Sequence, residues 1–202
     1  INMKTSLILL FLGLLAGCTS KPLMMKYYVL HTPENKISDS SNKTKPLVLL
    51  QMVDVAEYLN QSGLVMQIDK YELYYSRQDV WAEKLQSSFY KALLEDLNAT
   101  GQRVYLEHNS PNAEFAVASI KVELEHFHAT DTSNVVSSGR YSLSLRDPNV
   151  TKNKKLTTSS QPFFFESELN QDGYAHAVEK LRTLINRLAK QIERDIAALP
   201  NN

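Results

Sequence analysis

Two segments in the second half of the chain alternate between apolar and polar side chains, and this pattern limits the fold more than any other feature. The segments are Ile120-Lys121-Val122-Glu123-Leu124-Glu125 and Tyr141-Ser142-Leu143-Ser144-Leu145-Arg146. A strand with one buried and one solvated face has this period of two, and antiparallel pairing favours it. The two segments therefore predict neighbouring antiparallel strands, and Phe163 to Glu168 predicts a third strand beside them.

Two longer segments have the periodicity of amphipathic helices. Ser76 and Asp79 have the spacing of a helix start, and Gly101 is suited to a helix end. Between them, apolar residues recur at three- and four-residue steps: Trp81, Leu85, Phe89, Ala92, Leu93 and Leu97. A second helix is predicted over residues 174–198, with another apolar face: Ala177, Val178, Leu181, Leu184, Ile185, Leu188, Ile192 and Ile196.

The order of these elements predicts one α+β domain over residues 27–199. Further strands are expected at residues 26–31 and 46–57, followed by a hairpin of residues 64–68 and 71–75 with Asp69 and Lys70 at its tip. We therefore expect a mostly antiparallel sheet with two amphipathic helices packed on one face. Two interpretations of the terminal helix stay open: its apolar face packs on the sheet, or part of it docks a partner. Trp81 is likewise either a core anchor or an interface residue.

The N-terminal segment has the features of an export signal. Met3 is the expected start, so Ile1 and Asn2 are treated as an artefact of cloning or of the assigned start. The apolar run from Leu7 to Ala16 has about ten residues, half of what a bilayer-spanning helix needs, and matches the core of a signal peptide. Residues 1–17 are predicted to be a signal peptide, and residues 18–26 a lipidated tether.

The tetrapeptide Leu15-Ala16-Gly17-Cys18 resembles the lipobox of bacterial lipoproteins. The resemblance implies cleavage between Gly17 and Cys18, a diacylglyceryl group on the thiol, and acylation of the new amine, with palmitate as the expected fatty acid. Cys18 is the only cysteine, so an internal disulfide is excluded. Thr19, in place of an inner-membrane-retaining aspartate, implies sorting to the periplasmic face of the outer membrane.

Charge and motifs argue against several functions. The chain has 22 basic and 22 acidic residues without a clear basic stripe, which argues against nucleic-acid binding. No phosphate-binding loop or catalytic motif occurs, so we expect no enzyme activity and no cofactor. His126 and His128, two apart on a predicted strand, share the face of Ile120 and Leu124. They are either packed residues or two ligands of a metal site without an identifiable third, and we expect no metal.

Three stretches between residues 53 and 85 carry a family resemblance: Val53-Asp54-Val55-Ala56-Glu57-Tyr58-Leu59, Gly63-Leu64-Val65 and Trp81-Ala82-Glu83-Lys84-Leu85. Together with Tyr27-Tyr28-Val29-Leu30 just after the tether, they resemble the PqiC/YmbA-like auxiliary lipoproteins of MCE-type transporters. The resemblance covers most of the chain beyond Cys18.

The resemblance implies an outer-membrane lipoprotein of a paraquat-inducible-like intermembrane lipid transport system. Such a subunit would be a non-catalytic docking or conduit component that supports membrane integrity. Its partners would be an MCE-domain periplasmic or inner-membrane protein and further copies of itself in a ring. Two alternatives stay open: a structural or assembly lipoprotein of the outer membrane, and a lipid-anchored periplasmic enzyme, which would need a polar cleft with perturbed acids or histidines.

Overall fold

The computed structural model describes residues 24–32, 45–145 and 157–198. Within these ranges the chain forms nine strands, two α-helices and two short 3₁₀ turns, Glu57–Leu59 and Ala113–Phe115. The strands are β1 (Lys26–Tyr28), β2 (Leu47–Leu50), β3 (Asp54–Val55), β4 (Gly63–Asp69), β5 (Glu72–Trp81), β6 (Val104–Leu106), β7 (Ala118–Ala129), β8 (Asn134–Leu145) and β9 (Thr157–Glu168). The helices are α1 (Leu85–Ala99) and α2 (Tyr174–Ala197).

Strand β7 organises the sheet because it is paired along both edges. One edge forms an antiparallel ladder with β8, which pairs in turn with β9. The other edge is paired by β2, β3 and β4 in succession, all parallel to β7. The antiparallel β4–β5 hairpin and the short β1 extend the sheet on one side, and β6 extends it beside β2.

The α+β class is confirmed, but the expectation of a mostly antiparallel sheet is wrong. Five of the eight strand pairings are parallel: β1 with β5, β2 with β6, and β7 with β2, β3 and β4. Parallel neighbours need a long crossover, and α1 lies in the connection from β2 to β6 and β7. Alternating side chains report which face is buried, not the direction of the neighbouring strand, so the pattern missed these pairings.

The buried face of β7 is the one predicted from its alternation. Ile120, Val122 and Leu124 are at most 2% exposed, and Tyr141 and Leu143 of β8 are buried beside them. All five belong to one apolar core that also contains the buried faces of α1 and α2. Both helices therefore share a core with the same face of the sheet.

Helix α2 forms where it was predicted, and its apolar face is buried within the domain. All eight predicted core residues of this helix are buried: Ala177, Val178, Leu181, Leu184, Ile185, Leu188, Ile192 and Ile196. The helix contacts α1 and strands β7, β8 and β9. This packing supports the interpretation that the helix covers the sheet. Trp81 is a core residue as well, 7% exposed and 6.3 Å from the ring of Phe127.

The predicted start of the first helix is wrong, since Ser76 and Asp79 lie in strand β5. The Ser76 hydroxyl accepts the amide of Asp79 at 2.9 Å, as a helix cap would. Here the bond lies within a bulge of β5. Gly63 pairs with Val80 and Val65 with Tyr75, so two residue steps on β4 lie opposite five on β5. The helix begins at Leu85 and ends as predicted, with Gly101 at φ 70°, a left-handed conformation that favours glycine.

A buried carboxylate fastens α2 to the end of α1 and to β6, a strand that the sequence did not predict. Glu193 is 8% exposed and accepts hydrogen bonds from the hydroxyls of Tyr105, at 2.6 Å, and Thr100, at 3.0 Å. It also forms an ion pair with Arg103. Burial, followed by the hydrogen bond to Glu193, raises the pKa of Tyr105. This acid is therefore part of the packing between elements.

We predict that Glu193→Ala lowers the free energy of unfolding by about 3 kcal/mol, because it leaves a largely buried arginine without its partner. Urea denaturation followed by circular dichroism measures this change. Glu179→Ala is the matched control, since Glu179 lies on the same helix with 73% of its side chain exposed. A loss in Glu193→Ala no larger than in the control would contradict a stabilising role for the cluster.

Candidate functional site

The predicted cleavage site, between Gly17 and Cys18, and the predicted lipidation site, Cys18, lie outside the described residues. The structure does describe the segment that follows them, from Met24 into β1. Met25, Tyr27 and Val29 alternate along this segment and are all exposed, whereas Leu30 is buried. The Tyr27 hydroxyl lies 3.7 Å from the Met25 sulfur, which places both side chains on one face. An apolar row therefore begins within seven residues of the predicted lipidation site.

The two histidines do not share the face of Ile120 and Leu124, so that prediction is wrong. Leu124 pairs with Gly139 and His126 with Ser138, so two steps on β7 oppose one on β8. Glu125 is the extra residue of this bulge, and it shifts the alternation of side chains between the two faces of β7 by one residue. Phe127 and Ala129 continue the core face, and the histidines lie on the opposite face of the sheet.

Gly139 was the sequence signal for this bulge. A Cβ atom at that position would lie 2.0 Å from the Glu123 carbonyl oxygen, so the two backbones approach too closely for a side chain. A glycine within a strand often marks such an approach. The position of Gly139 between two alternating segments was compatible with a bulge, but periodicity alone did not locate it.

On the face opposite the helices, the histidines pack with Tyr58 as an aromatic group. The Tyr58 ring lies 6.4 Å from that of His126 and 6.2 Å from that of His128. The Nδ1 atom of His126 contacts the Ser138 hydroxyl at 2.8 Å, and Nδ1 of His128 contacts the Ala129 carbonyl at 3.0 Å. In the described part of the chain, no group of three or more His, Cys, Asp or Glu could hold a metal ion. The geometry favours packed histidines.

His128 is only 2% exposed, and its surroundings disfavour the charged ring. Burial lowers the pKa of His128, and the nearby His126 lowers it further, against the opposing effect of the Ala129 carbonyl. Burial raises the pKa of Tyr58, and Tyr75 and Glu125 add to that effect. Both shifts follow from desolvation of a packed cluster, which is a structural property.

We predict that His128 makes the fold less stable as the pH falls below about 6.5, the ordinary pKa of an unfolded-state histidine. Between that value and the lower folded-state pKa, the unfolded chain binds more protons, so the free energy of unfolding rises with pH. His128→Gln should flatten the dependence of unfolding free energy on pH between pH 5 and 7. His108→Gln, at an exposed position, controls for the loss of one histidine. An unchanged slope in His128→Gln would contradict this assignment.

A small cavity of about 210 Å³ lies where the β7–β8 turn meets the start of α2. Its lining combines apolar side chains of Met66, Leu169 and Ala177 with polar groups that include Asp131 and Asp172. Ligand pockets usually have volumes of roughly 300–1,000 Å³. This cavity is smaller than these, so it offers little room for a lipid.

The two most buried acids are also accounted for by structure. Asp96 of α1 accepts a hydrogen bond of 2.8 Å from Arg182 of α2, and Glu193 has the partners described above. Both carboxylates join helices within the core rather than lining the cavity. No described helix is both long and apolar enough to span a bilayer.

Comparison with known proteins agrees with the resemblance found in the sequence. Residues 28–193 match the family model of the ABC-type transport auxiliary lipoprotein component. The Intermembrane transport lipoprotein PqiC of Escherichia coli (strain K12) is 24% identical over 186 residues, covering 92% of this chain and 94% of PqiC. The protein of the same name from Shigella flexneri gives the same values.

Solved structures show that the fold recurs. An uncharacterized protein of known crystal structure matches with a TM-score of 0.71 at 21% identity, over 86% of this chain and 99% of that one. Protein XCC0632 from Xanthomonas campestris matches with a TM-score of 0.57 at 10% identity, over 75% and 85% of the two chains. The family model reaches from the last residue of β1 to Glu193 of α2, and so includes α1, most of α2 and strands β2 to β9. The chain therefore belongs to the family of ABC-type transport auxiliary lipoprotein components.

Proposed function

We propose that this chain is an outer-membrane-anchored lipoprotein subunit of an MCE-type intermembrane lipid transport system. It acts without covalent chemistry, as a docking or conduit component on the periplasmic face, and supports membrane integrity. The observation that carries the proposal is the family match along nearly the whole domain, next to a lipobox at residues 15–18. PqiC, an intermembrane transport lipoprotein by name, aligns with 92% of the chain.

The proposed mechanism is positional. Seven residues separate Cys18 from Lys26, the first residue of β1. An acyl anchor on Cys18 would hold the domain against one membrane, so that its partner searches a surface instead of a volume. Each buried methylene contributes roughly 0.8 kcal/mol, and several acyl chains therefore hold a protein far more firmly than one. In this mechanism, the domain functions by being held at the end of the lipid conduit.

Several features favour transport beside or through an assembly over transport inside one chain. The small cavity described above has little room for a lipid. The sheet face that carries the histidines also exposes apolar side chains, with Phe164 67% exposed on β9 and Tyr75 37% exposed on β5. Such side chains suit contacts with further copies in a ring, which requires heterologous contacts that close. A homo-oligomer is therefore part of the proposal.

The anchor is tested by Cys18→Ala in the native host. We expect the variant to appear in the soluble periplasmic fraction, to incorporate no labelled palmitate, and to make cells more sensitive to detergent. Thr19→Asp is the matched variant, because it keeps the lipid and should move the protein to the inner membrane. Full detergent resistance in cells that release the Cys18→Ala protein would contradict the positional role.

The partner is tested by crosslinking and purifying the lipidated protein from native membranes. We expect an MCE-domain protein among the crosslinked products, lost in Cys18→Ala although that variant is folded. The alternative, an outer-membrane assembly lipoprotein, predicts instead crosslinks to envelope-assembly machinery and none to an MCE-domain protein. That second pattern would replace the transport proposal with the assembly role.

A further inference from the structure

We infer that the tip of the β4–β5 hairpin contacts the same membrane that holds the acyl anchor. The hairpin tip is defined as residues 68–72, with Lys70 and Tyr71 as its two-residue turn. This inference deepens the proposed function and rests on its lipidation of Cys18. It assigns the domain a second contact with lipid, made by side chains.

The pairing of β1 with β5 shows from which side the chain enters β1. Strand β1 is parallel to β5, with Lys26 beside Asp79 and Tyr28 beside Trp81. Strand β5 runs from the hairpin tip at Glu72 towards Trp81. The chain therefore enters β1 from the side of the tip, so the residues that lead back to Cys18 start towards that end.

The length of the tether matches the length of the hairpin. On β4, six residue steps separate Gly63, which pairs with Val80, from Asp69, which pairs with Glu72. At about 3.3 Å per residue, the tip lies roughly 20 Å from the level at which β1 begins. The eight residue steps from Lys26 back to Cys18 span at most about 29 Å. The lipid and the hairpin tip can therefore reach one bilayer surface.

The side chains at the tip suit the boundary between lipid and water. Tyr71 is 89% exposed and Ile68 is 42% exposed, although both are large apolar residues. The Lys70 ammonium lies 5.1 Å from the centre of the Tyr71 ring. Tyrosine and lysine are the residues that membrane proteins place at this boundary. Asp69 and Glu72 outnumber Lys70, so the contact depends on apolar burial and not on attraction to anionic lipid.

Two exposed apolar residues also precede β1, roughly 20 Å from the tip along the hairpin. Met24 is 81% exposed and Met25 47% exposed, directly before β1 on the side from which the chain arrives. Contiguous exposed apolar residues usually mark an interaction site, and Ile68 and Tyr71 lie together at the hairpin tip. The anchor, the tether and the tip together favour a lipid surface over a protein partner.

The far end of the sheet provides a matched control. Phe115 is 63% exposed and lies just before the start of β7. The other end of β7 lies towards the hairpin tip, because Ala129 pairs with Met66 of β4. Eleven residue steps separate Ala118 from Ala129, or roughly 36 Å. A membrane that touches the hairpin tip is therefore out of reach of Phe115.

The test uses the lipidated full-length protein purified from membranes and reconstituted into phosphatidylcholine vesicles. Cys18 is the only cysteine and its thiol is blocked by lipid, so Tyr71→Cys or Phe115→Cys adds a single labelling site. An environment-sensitive fluorophore is attached at that site, and its quenching is measured with spin labels placed at defined depths on the lipid chains. We expect shallow spin labels to quench the fluorophore at position 71 several-fold more than at position 115.

Equal, weak quenching at both positions in a lipidated protein that stays on the vesicles would overturn the tip contact and leave the proposed function intact. A fluorophore at position 71 that is shielded from water but not quenched by spin-labelled lipid would overturn it too, and would identify a protein contact. If the protein purified from native membranes proves to carry no acyl group and does not remain on vesicles, the proposed function is overturned, and this inference with it. Circular dichroism of both labelled variants verifies the fold.

Discussion

The pairing of β7 along both of its edges is the constraint on which the rest of the structure depends. Its antiparallel ladder with β8 and its parallel pairings with β2, β3 and β4 make one sheet of segments that are distant in the chain. Ile120, Val122 and Leu124 then present one apolar face to the helices. The burial of Leu184 and Ile185 on α2 requires that face, because an amphipathic helix is stable mainly through what it covers.

Periodic features of the sequence predicted the parts of the fold in which one residue type repeats at a fixed step. The alternation around Val122 and the apolar stripe from Ala177 to Ile196 gave correct elements and correct buried faces. Pairing direction was not accessible, because side-chain burial is the same beside a parallel or an antiparallel neighbour. Ser76 shows a second limit, since a hydroxyl that bonds an amide three residues ahead fits a helix start and a strand bulge equally well.

The candidate site also combines features that the sequence could predict with features that depend on the fold. The motif at residues 15–18 that resembles a lipobox is local, so the prediction of lipidation needs only the sequence, whereas the position of the histidines depended on one inserted residue, Glu125. That insertion moves His126 and His128 to the face opposite the helices, where Tyr58 covers them. The parallel course of β1 beside β5 was equally invisible in the sequence, yet it fixes the side from which the chain enters β1 as the side of the hairpin tip. In the proposed function, this family member therefore acts through where a small domain is held and how it is oriented.

The proposed function depends most on the claim that the mature polypeptide in the cell begins at an acylated Cys18. Intact-mass spectrometry of the protein extracted from native membranes tests it most directly. We expect a mass equal to the chain from Cys18 onwards plus a diacylglyceryl group and an amide-linked acyl chain, with fragment ions that place the added mass on that cysteine. A water-soluble protein with a free thiol at Cys18, or one that retains residues 1–17, would contradict it.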